Sequence, residues 1–215
     1  MTTIRQRLQA NVERSLPDGV MAGNQAFEAD ELYQNAGEKS TRHTDPADPP
    51  RRRGNKLKGR GTFDKDRPPI YGVKGRHSSE VRYYVRHHAD GATCREIIEE
   101  CVPAGAALYT DGLSGYVAVG KERCSAVGGV HGRVFHSKYE WARDDDGDGV
   151  REVHCNGCEG MGAGLRTFLR GFRGVSKHYL PDYVALYEAA FNCKRVTPAL
   201  VRAMCLGEAV RLNYT

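Results

Sequence analysis

The sequence predicts an α/β fold in which a mixed sheet is flanked by helices. Two observations carry it. Strand-like runs dominate the first half of the chain, at 25–33, 70–73, 81–87 and 106–110, and helix signals dominate the second. The chain also has 215 residues, enough for one sizeable core with short appendages, and shows no internal repeat.

The elements follow in order. Residues 3–15 read as a short charged helix with Ile4, Leu8 and Val12 on one stripe, ending near Leu16-Pro17-Asp18-Gly19. The strand 25–33 follows. Residues 34–69 are polar, with Pro46, Pro49, Pro50, Pro68, Pro69 and the run Arg51-Arg52-Arg53, and read as a long, mobile, basic loop. Strands resume at 70–73 and 81–87. Thr93 is placed to cap a helix running to about Val102. The apolar run 106–110 reads as a short buried strand, 113–123 as a helix, and 125–134 as a glycine-broken strand. Asp144 to Gly149 form an acidic loop. Helices are expected over 157–172 and, capped by Ser176, through Ala190. Thr197-Pro198 is a cap and first-turn pair for the last helix. The expected organisation is a tail (1–21), a core domain (22–195) and a C-terminal helix (196–215).

Net charge is +5 and the pI about 8.8, which favours an anionic partner, although a mildly basic surface also serves solubility. No apolar run reaches about 18 residues, so no membrane span is expected. The first residues lack an apolar signal core, and secretion is not indicated. Seven cysteines, an odd number without a paired framework, fit a reducing interior.

Three acidic residues stand in three different settings. Asp30 lies in the strand FEADELY, where Glu28 and Asp30 share one face and Ala29 and Glu31 the other. Asp111 ends an apolar strand and precedes Gly112, which allows a sharp exit. Glu159 lies in the first turn of a helix, where the dipole favours an anion. Arg166 follows two turns later on the same helix face. Carboxylates brought together this way suit Mg²⁺, which takes oxygen ligands. Each one alone also reads as a solvated surface group.

The ordered motifs FEADELY, KLKGRGT, PPIYGVKGR, LYTDGLSGY, FHSKYEWAR, HCNGCEG and LRGFRGVSKHYLPDYVALYEAAFN resemble bacterial insertion-sequence transposases. The resemblance is to the DDE-type catalytic domain of the group that also carries an N-terminal zinc ribbon, and it covers residues 22–195. It implies the RNase H-like fold shared with retroviral integrases. It implies that Asp30, Asp111 and Glu159 are catalytic and hold two Mg²⁺ ions, for which Mn²⁺ can substitute. It implies that His154 and Asn156 shape the site, and that His136 and Ser137 match the family's His-Ser pair. Arg166 takes the place of a basic residue, usually Lys. Met161 and Gly162 stand where the family has an aromatic pair, and Gly160, Gly162 and Gly164 soften the helix by about 1 kcal/mol each relative to Ala. Residues 1–15 resemble only the tail of the segment that precedes such domains, so a truncated copy is expected.

The implied partners are transposon-end and target DNA, contacted by Arg51, Arg52, Arg53, Lys56, Lys58, Arg60, Arg166 and Arg170, with the chain a homo-oligomer on DNA in the cytoplasm at the nucleoid. The alternative is a catalytically inactive remnant that only binds DNA. Other features compete. Cys155 and Cys158 form a C-x-x-C, but zinc would need a second half that the remaining cysteines do not supply, so zinc is not expected. Asp144, Asp146, Asp148 and Gly149 copy the opening of a calcium loop, but its twelfth position is Cys155, so a solvated acidic turn is expected. His154 and Cys155 are chain neighbours and make a poor catalytic pair. His87 and His88 read as surface residues.

Overall fold

A computed structural model describes residues 21, 23–38, 42, 44–47, 60–193 and 197–206. The helix expected over 3–15 and the cluster Arg51, Arg52, Arg53, Lys56 and Lys58 lie outside these residues. The described strands are β1 (Ala26–Tyr33), β2 (Pro69–Gly75), β3 (Val81–Val85), β4 (Ala107–Thr110) and β5 (His131–Arg133). The described helices are α1 (Gly91–Cys101), α2 (Gly115–Arg123), α3 (Asn156–Arg170), α4 (Leu180–Asn192) and α5 (Pro198–Leu206). The strands form one sheet in the order β3-β2-β1-β4-β5. β1 runs antiparallel to β2 and β2 to β3, while β4 is parallel to both β1 and β5. This mixed sheet with flanking helices is the expected α/β arrangement.

Each face of the sheet buries one helix pair. Phe27 and Ala29 of β1 join Tyr71, Val73 and Leu108 against Ile97 and Ile98 of α1 and Tyr116 and Val119 of α2. Leu32 and Ile70 turn the other way and pack with Leu165 and Leu169 of α3 and Leu180 and Val184 of α4. The alternation of β1 decides this division. α4 also closes a sheet edge. The Glu188 carboxylate accepts the Tyr83 N–H at 2.7 Å, while Asn192 accepts the Val81 N–H at 3.0 Å and donates to its carbonyl at 2.7 Å. These side chains satisfy the outer backbone groups of edge strand β3, which would otherwise invite another strand.

The N-terminus of α3 is tied down by Glu28. This β1 side chain is 2% exposed and accepts the Cys158 N–H at 3.0 Å. The residue at the helix start, Cys155, makes no side-chain capping bond, so a carboxylate from the sheet takes that part. Glu28 is itself held by Arg76 Nε at 2.9 Å. The Arg76 guanidinium donates further to the carbonyls of Glu152 (2.8 Å) and His154 (2.7 Å) and lies 3.9 Å over the Tyr109 ring. Gly157 makes the approach possible, because a Cβ there would lie 2.5 Å from Glu28 Oε2.

Several local expectations are corrected. Asp90, not Thr93, caps α1: its Oδ1 accepts the Thr93 N–H at 2.8 Å, so the polar pair is real but the roles are shifted by three residues. The helix expected to follow Ser176 begins at Leu180, with Pro181 in its first turn. Ser176 instead receives the Tyr179 N–H on its carbonyl, making a turn ahead of the helix. The glycine-broken strand over 125–134 is a 3₁₀ turn, Ser125–Val127, followed by the three-residue β5. At the ends of the 34–69 segment, Gln34 and Ala36 donate to the carbonyls of Pro68 and Asp66, so the strand pairing of β1 and β2 extends into the segment expected as loop.

Three stability outcomes follow. A Cβ at Gly160 meets nothing within 4 Å, so Gly160→Ala should stabilise the fold by about 0.5–1 kcal/mol through helix propensity. Gly157→Ala should destabilise it by about 1–3 kcal/mol through overpacking against Glu28. Denaturant unfolding of the two variants checks the opposite signs. Glu28→Ala should cost about 2 kcal/mol or more, since it strips a cap from α3 and a carboxylate from Arg76. Protease nicking near 152–158 should rise with it.

Candidate active site

Asp30 and Asp111 meet because of strand register. β1 and β4 are parallel neighbours with Ala29 paired to Thr110, so the next residues on each strand stand side by side. The Asp111 carboxylate is fixed by the Leu113 N–H at 2.9 Å, and Asp30 Oδ1 accepts the Glu31 N–H at 2.8 Å. Glu31 joins them: one oxygen from each of Asp30, Glu31 and Asp111 lies within 4.8 Å of the others. Strand alternation places Glu31 on the opposite face from Asp30, and the sequence reading passed it over. β4 ends at Thr110, so on that side of β1 Asp111 lies just past the strand end, where it comes close to both Asp30 and Glu31.

This concentration of negative charge is costly. Burial, then Asp111, pushes the Asp30 carboxyl up to about 7. Burial, then Asp111 and Asp30, pushes Glu31 up to about 8. Burial also raises Asp111, opposed by the Leu113 N–H and by Arg60, His136 and Arg133. Glu31 Oε2 is buried without a hydrogen-bond partner. Three crowded oxygen donors with an orphaned buried oxygen fit a hard divalent cation.

Glu159 faces the same ground from α3. Asp30, Glu31, Glu159 and Arg166 all line one cleft of about 280 Å³. Glu159 adds to the negative field at Asp30, and Arg166 offsets it. Its Oε1 lies 2.7 Å from His136 Nε2, so an imidazole holds it beside, and not within, the Asp30–Glu31–Asp111 group. His136 begins the 3₁₀ turn His136–Lys138 after β5, and its ring stacks on Trp141 at 4.7 Å.

The other residues singled out from sequence fall in different places. His154 sits in the Glu28–Arg76 network, with Nδ1 3.5 Å from Glu28 Oε1. Burial, then Arg76, lowers its pKa and keeps it neutral. Asn156 opens α3 and is exposed. Arg60, Arg166 and Arg170 are exposed, and Arg60 offsets the charge of Glu31 and Asp111. Cys158 donates its thiol to the Glu28 carbonyl at 3.2 Å, away from any pairing with Cys155. In the acidic loop, Asp144 accepts the N–H groups of Gly147 and Gly149. Asp144, Asp146 and Glu152 there form a separate acidic group. Among the described residues, no helix is long and apolar enough to cross a membrane.

The chain is 27% identical over 161 residues to an uncharacterized protein in transposable element ISH50 of Halobacterium salinarum. That alignment covers 75% of this chain and 50% of the relative, so the chain spans about half the length of the curated protein it matches. Among solved structures it is similar to the catalytic core domain of BIV integrase, with TM-score 0.44 and 11% identity over 82% of this chain and 89% of that one. The family model for the ISXO2-like transposase domain matches residues 26–192, from the first residue of β1 to the last of α4, and the chain belongs to that family.

Proposed function

We propose that this chain is the catalytic domain of an insertion-sequence transposase that cleaves DNA at the element's ends and joins the freed 3′-hydroxyls to target DNA. The observation that supports it most directly is the convergence of Asp30, Glu31 and Asp111, with oxygens within 4.8 Å, at the ends of two adjacent parallel strands. A stable sheet has no use for three crowded carboxylates there. Asp30 and Asp111 would hold Mg²⁺ or Mn²⁺, Glu31 would add a further oxygen, and Glu159 would complete a second ion's site from α3. When bound, such a pair of ions activates the attacking oxygen and stabilises the leaving one. No protein nucleophile is required.

The chain's own residues set the geometry. The β1–β4 register aims Asp30 and Asp111, the Leu113 N–H locks the Asp111 rotamer, and His136 holds Glu159 at the rim. Arg60, Arg166 and Arg170 provide exposed cations for DNA phosphates, with Arg51, Arg52, Arg53, Lys56 and Lys58 as further contacts. Work on two transposon ends calls for a homo-oligomer on DNA. A remnant that binds DNA without cutting would keep these cations and show no metal-dependent nicking.

Protons and metal compete for the same oxygens, which fixes the sign of a pH test. Asp30 and Glu31 ordinarily titrate at 3.8 and 4.5 but are raised to about 7 and about 8 in the folded, metal-free protein. The stability they contribute is therefore full below pH of about 4 and is lost as pH rises through roughly 7–8. Asp111→Asn removes a charge that raises both. It should raise the metal-free melting temperature near pH of about 8 and change it less near pH of about 5. It should also abolish the stabilisation by Mg²⁺ and the Mg²⁺- or Mn²⁺-dependent nicking of a DNA substrate. Equal nicking by parent and variant would overturn the metal role of Asp111. No nicking by either, with DNA binding intact, would favour the remnant.

The basic rim gives an independent check. Arg166→Ala should flatten the salt dependence of DNA binding by roughly one unit of slope, for specific and non-specific sequences alike. An unchanged slope would return Arg166 to the role of a solvated surface cation.

A further inference from the structure

The two cysteines of HCNGCEG do different things. Cys158 turns into the sheet and bonds the Glu28 carbonyl. Cys155 turns toward His136, with its Sγ 3.9 Å from His136 Nε2. Ligand atoms of His136, Cys155 and Glu159 all lie within 4.8 Å of one another. We propose that these three residues form a second metal site that takes a borderline-soft divalent ion such as Zn²⁺.

The donor set supports the choice of ion. One nitrogen, one sulfur and one carboxylate oxygen make a three-ligand zinc site with its fourth position open to water. Zn–N and Zn–S bonds of about 2.0 and 2.3 Å at tetrahedral angles put ligand atoms roughly 3.5 Å apart. The Cys155–His136 separation is already near that value. The His136–Glu159 pair, now 2.7 Å apart, must open by less than about 1 Å. Mg²⁺ prefers an all-oxygen set, which the Asp30–Glu31–Asp111 group offers and this one does not.

Access and orientation fit as well. The side chains of His136 and Glu159 are 29% and 38% exposed, so an ion can reach them from the cleft, while Cys155 is fully buried behind them. The Trp141 ring stacked on His136 fixes the plane of the imidazole. Burial pushes the Cys155 thiol well above its ordinary value, so the sulfur is an inert thiol until a metal displaces its proton to solvent. The imidazole then carries its proton on Nδ1, leaving Nε2 to the ion. Glu159 belongs to both sites. Zinc held by His136 and Cys155 keeps Glu159 away from Asp30 and Asp111 and so opposes the Mg²⁺-dependent reaction. That consequence rests on the proposed function; zinc binding itself does not.

Cobalt titration tests the site. Co²⁺ added to the whole chain under reducing conditions should produce a thiolate-to-cobalt charge-transfer band and quench the fluorescence of Trp141, the sole tryptophan. Zn²⁺ should bleach the band, and excess Mg²⁺ should not. Cys155→Ser should lose both signals, whereas Cys158→Ser and Asp111→Asn should keep them. If Cys155→Ser fails to fold by far-UV circular dichroism, His136→Gln, at a part-exposed position, should show the same losses. No band in the parent, a band that survives Cys155→Ser or His136→Gln, or a band that disappears in Asp111→Asn would overturn the proposal. If instead Asp111→Asn leaves the Mg²⁺ response intact while the cobalt band behaves as expected, the transposase metal assignment falls and the zinc site stands.

Discussion

The rest of the structure depends on one buried carboxylate. Glu28 is almost fully enclosed, and an isolated charge there would be prohibitive. It is tolerated because a guanidinium, an N-terminal backbone N–H and the positive end of α3 converge on it. Those partners come from the turn after β2 and from the first turn of α3, while Glu28 itself stands in β1. The carboxylate thus joins three stretches of chain that are far apart in sequence. Asp30 follows two residues later on the same face of β1. The strand that anchors the helix therefore also aims Asp30 toward it, and the position of Glu159 relative to the sheet follows from where Glu28 lets α3 begin.

The carboxylates one step along the strand have no such partners. Asp30 and Glu31 receive backbone or distant charge compensation only, and burial dominates both. The contrast within one strand is informative. Glu28 is a charge whose cost is offset locally, which is how a structural carboxylate behaves. Asp30, Glu31 and Asp111 are carboxylates whose cost is left open, which fits the proposal that they hold a cation. The stability they forgo is supplied elsewhere, by the two apolar layers and by Glu188 and Asn192 sealing the β3 edge.

Much of this was legible in the sequence where the physics is local. Alternation in FEADELY separated Ala29 and Glu31 from Glu28 and Asp30, and the apolar run before Asp111 marked a buried strand. The cap of α1 was misplaced because Asp90 and Thr93 are both good capping residues three apart, and only backbone geometry decides between them. Leu180, not the region after Ser176, starts α4 because the chain first makes a separate turn, held by the Tyr179 N–H on the Ser176 carbonyl. Glu31 was missed because alternation puts it on the other face of β1 from Asp30, and only the end of β4 at Thr110 leaves Asp111 close to both. Glu28 was seen on the right face, but its partners lie 48 and 130 residues away, beyond any local pattern.

The glycines of α3 show how the same residues change meaning once packing is known. Read along the chain, they soften a helix. In the fold, two of them mark where the sheet comes close. A Cβ at Gly157 would strike Glu28, and one at Gly162 would stand 3.1 Å from Leu32 Cδ2. Glu28 and Leu32 flank Asp30 on the same face of β1, so the helix is drawn in on either side of it. Between those contacts the helix presents Cys158 and Glu159, and the strand presents Asp30. The cleft is the space left between them, and its depth is set by glycines that carry no chemistry of their own.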